Sequence, residues 1–120
     1  MSTLKVTNIQ ATGETASRAV SGVAAAWGQF NGTSTAAITD SQNFSSISDG
    51  GTGVFTLNFS TNMANASYAA NGSTGENSTN GFIRVGGTTA SNIFVNSKSS
   101  TTGGLYDDSK IYIVAHGDLA

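Results

Sequence analysis

The sequence predicts an all-β chain: an antiparallel β-sandwich, jelly-roll-like, preceded by an extended N-terminal arm. Three observations carry this. Seven to nine short apolar or alternating segments recur every eight to twelve residues. Gly and Asn punctuate them. There is no proline among the 120 residues and no long stretch of helical periodicity.

The segments follow in order. LKVTNI, residues 4–9, alternates Leu4 and Val6 and reads as a short first strand. Residues 11–26, ATGETASRAVSGVAAA, are small. Glu14 to Val20 could form a helical turn capped by Thr12 or Thr15, but Gly13 and Gly22 bracket too short a segment, so an extended arm is expected. The arm is set at residues 1–24 and the sandwich at 25–120. AWGQFNG places Trp27 and Gln29 on one face and Ala26, Gly28 and Phe30 on the other, and Asn31-Gly32 marks a turn. AAITD and NFSSIS are short strands, and SDGGTG is the strongest hairpin loop. VFTLNFS, residues 54–60, alternates Phe55, Leu57 and Phe59 with polar neighbours, the pattern of a half-buried strand. ASYAA, FIRV, NIFVN and IYIVAHG supply the remaining strands. Asn71-Gly72 is expected to open a long loop to Asn80, and Gly86-Gly87 to turn between FIRV and NIFVN. The expected core is Trp27, Phe44, Phe55, Leu57, Phe59, Tyr68, Ile83, Phe94, Ile111 and Ile113.

Ser, Thr, Asn and Gly together make 59 of the 120 residues, while charged residues are only 10% and the net charge is −2. Ten aromatic residues, spread along the chain, set it apart from a disordered polar segment. A neutral polar surface has little charge repulsion to keep it monomeric, so an oligomer is expected. The basic residues Lys5, Arg18, Arg84, Lys98 and Lys110 are scattered, and a pI near 4.9 argues against a nucleic-acid partner. Without cysteine there is no disulfide framework or thiolate chemistry, no apolar run approaches membrane length, and no signal peptide is expected.

No catalytic constellation stands out, no cofactor is implied, and the chain is not expected to be an enzyme. The lone His116 has no second His or Cys to share a metal and reads as a strand-end residue. Asp107-Asp108 is too short an acidic run for a calcium loop. Asp40, Asp49, Glu76, Asp107 and Asp108 are the carboxylates from which a glycosidase pair would have to come. Six Asn-x-Ser/Thr triplets, starting at Asn31, Asn43, Asn58, Asn65, Asn71 and Asn77, follow from composition. Tyr106, with Asn77 and Asn80 from the 71–80 loop, is the candidate sugar-binding set, because an aromatic face stacks on a pyranose; a subunit contact is the equal alternative for Tyr106.

Four blocks in order resemble a family of small marine bacteriophage tail-fibre or host-recognition proteins: AWGQFNG at Ala26–Gly32, ITDSQNFSSI at Ile38–Ile47, DGGTGVFTLNF at Asp49–Phe59 and MANASY at Met63–Tyr68. The opening MSTLKVTNIQ is similar to the family's start, and the second half matches only in character. The resemblance implies a virion appendage, often trimeric, made in the host cytoplasm. Its arm would attach to other virion proteins, with Leu4, Val6 and Ile9 as the gripping residues, and its loops would face host-surface glycan. A capsid decoration or head-fibre protein and a free carbohydrate-binding module are the alternative readings.

Overall fold

The computed structural model describes residues 2–10, 12, 13, 15, 18, 19, 23–75 and 81–120. It is all-β. After two short strands, β1 (Asn8–Ile9) and β2 (Arg18–Ala19), come β3 (Ala24–Asn31), β4 (Ala37–Gln42), β5 (Phe44–Asp49), β6 (Val54–Phe59), β7 (Ala69–Thr74), β8 (Gly81–Thr88), β9 (Asn92–Ser99) and β10 (Ile111–His116). Eight of these form two four-stranded antiparallel sheets, ordered β4-β3-β10-β7 and β5-β6-β9-β8, packed face to face as a β-sandwich. Among the described residues, β1 pairs with β2 alone. The predicted first strand, residues 4–9, shrinks to Asn8–Ile9, and residues 2–10 are exposed throughout.

Asn43 switches the chain between sheets. It is the one residue between β4 and β5, in left-handed conformation at φ 62°, which Asn tolerates better than most side chains. Its carboxamide holds the corner, donating to the Thr61 carbonyl at 3.0 Å and accepting from the Thr61 amide at 2.7 Å. Many of the abundant Asn, Asp, Ser and Thr side chains do similar work. The carboxamide or carboxylate oxygens of Asn31, Asp49, Asn65 and Asp108 each accept from the backbone N–H two residues on, closing Asx turns without help from the core.

The interior is a run of aromatic rings. Phe30 meets Phe44 edge-on at 5.3 Å, Phe44 stacks on Phe59 at 5.3 Å, and Phe59 meets Tyr68 edge-on at 5.8 Å. Gly28 makes room for it, since a Cβ there would lie 2.5 Å from Phe30 Cζ. The Tyr68 hydroxyl donates to the carbonyls of Thr89 and Asn92, each at 3.0 Å, and burial pushes its pKa up to about 12. Of the predicted core, Phe44, Phe55, Leu57, Phe59, Ile111 and Ile113 are buried, and Tyr68 and Ile83 pack against them.

Two core assignments are corrected. Trp27 and Phe94 face outward, each 40% exposed, while Phe30, Ile93 and Val95 fill the interior. Side chains alternate along a strand, so each large outward aromatic is bought at the cost of an inward neighbour, and size was the wrong guide to parity. Two turn assignments also move. Asn71-Gly72 lies inside β7, because that segment pairs with all of β10. Gly86-Gly87 lies inside β8 at a bulge, and the turn to β9 is closed by the Thr89 amide donating to the Asn92 carbonyl at 2.9 Å.

Candidate functional site

Of the predicted ligand set, Tyr106, Asn77 and Asn80, the structure describes Tyr106. Asn77 and Asn80 lie outside the described residues. Tyr106 is half-buried, and its hydroxyl donates to Asp108 Oδ2 at 2.7 Å. The Asp108 carboxylate is fully buried and also accepts from the Lys110 amide at 3.0 Å, while Asp107 Oδ1 accepts from the Gly53 amide at 2.7 Å. The Tyr106-Asp107-Asp108 segment therefore fastens the loop before β10 to the β5–β6 turn. Gly53 sits in this clamp at φ +65°, where a Cβ would lie 2.5 Å from the Ser97 carbonyl oxygen and 2.7 Å from the Tyr106 nitrogen. Both the left-handed backbone and the backbone contacts call for glycine.

Leu4, Val6 and Ile9 are exposed, Leu4 at 84%. His116 is exposed at the end of β10, opposite Ala69. Among the described residues, no three His, Asp or Glu side chains gather where they could hold a metal ion.

The most distinctive surface is one that the sequence reading left out: the outer face of the β4-β3-β10-β7 sheet. β3 and β10 bury Ala26, Phe30, Ile111, Ile113 and Ala115 and so turn Trp27, Gln29, Tyr112, Val114 and His116 outward. The register sets Val114 between Trp27 and Asn71, and Tyr112 between Gln29 and Ser73, with Gln42 beyond Trp27 and Asp40 beyond Gln29. Two aromatic rings, on adjacent strands and diagonal to one another, thus stand among amide and hydroxyl groups. Trp27 is 40% exposed and Tyr112 38%.

Trp27 is held in place. Its indole Nε1 donates to Gln42 Oε1 at 2.9 Å, which fixes the ring's tilt and reduces the ordering cost of stacking a ligand on it. Beside the rings runs a shallow trough. Asn71, Gly72, Ser73, Tyr112, Ile113 and Val114 line one part of it, and Ala69, Ala70, Asn71, Val114 and His116 continue it. The trough exists because the outward side chains of β7 are small (Ala69, Asn71 and Ser73) beside the larger ones of β10. From the Ser73–Tyr112 row to the Ala69–His116 row it spans about 14 Å at strand rise.

A flat aromatic ring bordered by carboxamides and hydroxyls suits a sugar. The ring covers the C–H face of a pyranose, and amides and hydroxyls match the donor and acceptor pattern of its hydroxyl groups. A signal for this face was present: in AWGQFNG the alternation groups Trp27 with polar Gln29, which marks the outward side.

Comparison of the chain with protein families, with curated proteins and with solved structures returns no match. Among the described residues, no helix is long and apolar enough to cross a membrane.

Proposed function

We propose that this chain is a non-catalytic recognition module of a phage virion appendage that binds neutral host-surface glycan through the outer face of the β4-β3-β10-β7 sheet. The observation that carries the binding part is the Trp27–Tyr112 face, with its pinned indole and its trough along β7 and β10. The virion part rests on the resemblance of the blocks between Ala26 and Tyr68 to marine phage tail-fibre proteins. Attachment to the particle falls to residues 1–24, where exposed Leu4, Val6 and Ile9 offer apolar contact. A homotrimer fits the low charge and this apolar arm. Hydrogen bonding by neutral groups also keeps recognition insensitive to salt.

Trp27 is the only tryptophan of the chain, so its fluorescence reports on this face alone. Titration with neutral hexasaccharides of glucose, mannose and galactose is expected to shift Trp27 emission to the blue for at least one of them. An emission unmoved by every sugar removes the glycan reading. Gold-labelled antibody on purified particles tests the location. Label at tail tips supports the appendage, label over the head makes this a capsid decoration protein, and glycan binding without particle label makes it a free carbohydrate-binding module.

A further inference from the structure

The opposite face of the sandwich carries a second and chemically different site. We infer that Arg84, Asn96 and Lys98, on the outer face of the β5-β6-β9-β8 sheet, bind the carboxylate or sulfate groups of an acidic polysaccharide.

The fold brings these residues together. β8 and β9 turn Ile83, Val85, Ile93, Val95 and Ser97 toward the interior, which leaves Phe82, Arg84, Phe94, Asn96 and Lys98 on the outer side. In the antiparallel register Phe82 lies opposite Lys98 and Arg84 opposite Asn96, so the two cations are diagonal neighbours flanking one carboxamide. Two of the chain's five basic residues therefore share one spot although 14 positions separate them in sequence. No Asp or Glu occupies the outward register of the four strands. Neither cation has an ion-pair partner among the described residues.

Asn96 lies beside both cations and adds to the donor set. It points outward with 8% of its surface exposed, and its carboxamide is not sealed from solvent, because among the described residues the buried side-chain polar atom without a partner is Ser97 Oγ. The carboxamide is therefore reachable by a ligand that sits between Arg84 and Lys98. Its surroundings specify the ligand. The guanidinium and ammonium groups only donate, and the carboxamide adds two more donors. A set this rich in donors, with no acid in the outward register of its strands, selects an acceptor-rich anion, and the planar guanidinium matches a carboxylate or sulfate in two-pronged geometry. Phe82 and Phe94, 44% and 40% exposed, share this outer side, and an exposed ring can cover the apolar face of the sugar carrying the acid. A free anion would use the donors but not the rings, which is why a polymeric acidic sugar is the assigned occupant.

The test uses the full chain and three probes: a galacturonic acid hexamer, a sulfated hexasaccharide and poly-glutamate, with inorganic sulfate alongside. Binding is read by amide NMR shifts. Either acidic sugar is expected to shift β8 and β9 resonances and to lose affinity by about tenfold or more between low and physiological salt. The double variant R84Q/K98Q, checked for an unchanged melting curve, is expected to weaken that binding by at least about tenfold while leaving neutral-sugar titration of Trp27 intact. N96A should weaken binding without changing the salt dependence. Whichever acidic hexamer binds tighter separates carboxylate from sulfate recognition. The inference falls if the double variant binds the acidic sugars as tightly as the native chain, or if inorganic sulfate or poly-glutamate matches their affinity. It falls equally if the variant's main effect is to break a self-association of the native chain. These outcomes are distinct from failure of the Trp27 face, which the neutral sugars and fluorescence report separately.

Discussion

Replacing Trp27 by Ala tests recognition and stability with one change. A buried tryptophan side chain contributes on the order of 150–250 Å², and 40% of Trp27 is exposed, so roughly 60–100 Å² is open to a ligand. At about 25 cal/mol per Å² that area contributes about 1.5–2.5 kcal/mol to sugar binding, a loss of roughly tenfold to seventyfold in Kd on truncation. The same substitution also costs stability. The covered remainder of a side chain 40% exposed is roughly 90–150 Å², worth about 2–4 kcal/mol by the same coefficient, and the exposed hydrogen bond to Gln42 adds about 0.5 kcal/mol. Isothermal titration of W27A with whichever neutral hexasaccharide shifts the native emission gives the first number, and a thermal melt gives the second. A fall in affinity of less than about threefold, measured at a temperature where the melt shows W27A folded, refutes the argument, because the ring would then contribute less than its open area requires. A loss of stability well beyond that sum would instead show that Trp27 belongs to the core.

Three further outcomes follow from the packing. Gly53→Ala forces a Cβ against the Ser97 carbonyl and the Tyr106 amide at φ +65°; a loss of at least about 2 kcal/mol in urea unfolding is expected. Tyr106→Phe keeps the ring but removes the donor to buried Asp108, so stability should drop by about 1–3 kcal/mol while neutral-sugar affinity stays the same; a loss of sugar binding would return Tyr106 to the ligand site. For Tyr68 the folded pKa is raised to about 12 by burial, so above pH 10 the unfolded chain gives up its phenolic proton first. Stability linked to this group is whole below pH 10 and is lost as pH rises toward 12. Alkaline melts of Tyr68→Phe should accordingly decline less steeply over that window than those of the native chain.

Much of the β architecture was legible because it is written locally. VFTLNFS alternates with period two, and the parity of Phe55, Leu57 and Phe59 is unambiguous because their neighbours Thr56 and Asn58 are polar. The SDGGTG loop likewise carries its turn in its own backbone, with Gly51 and Gly53 at positive φ. Where both parities looked apolar, local pattern was not enough. NIFVN could bury either Phe94 or the Ile93–Val95 pair, and AWGQF either Trp27 or the Ala26–Phe30 pair. In each strand long-range pairing set the parity, turning Ile93 and Val95 in one and Ala26 and Phe30 in the other toward the opposite sheet.

The sequence by itself determined the all-β class, the neutral hydrogen-bonding composition and the Asx turns of Asn31, Asp49, Asn65 and Asp108, since each depends on composition or on residues only a few positions apart. Tertiary structure alone decided the two candidate sites. Trp27 and Tyr112 become neighbours only because β10 inserts between β3 and β7, and Arg84 meets Lys98 only through the β8–β9 register. Strand order and register arise from long-range pairing, where one residue of slip would turn every side chain to the opposite face, and the local alternation records at most which face a strand buries, never which strand lies beside it.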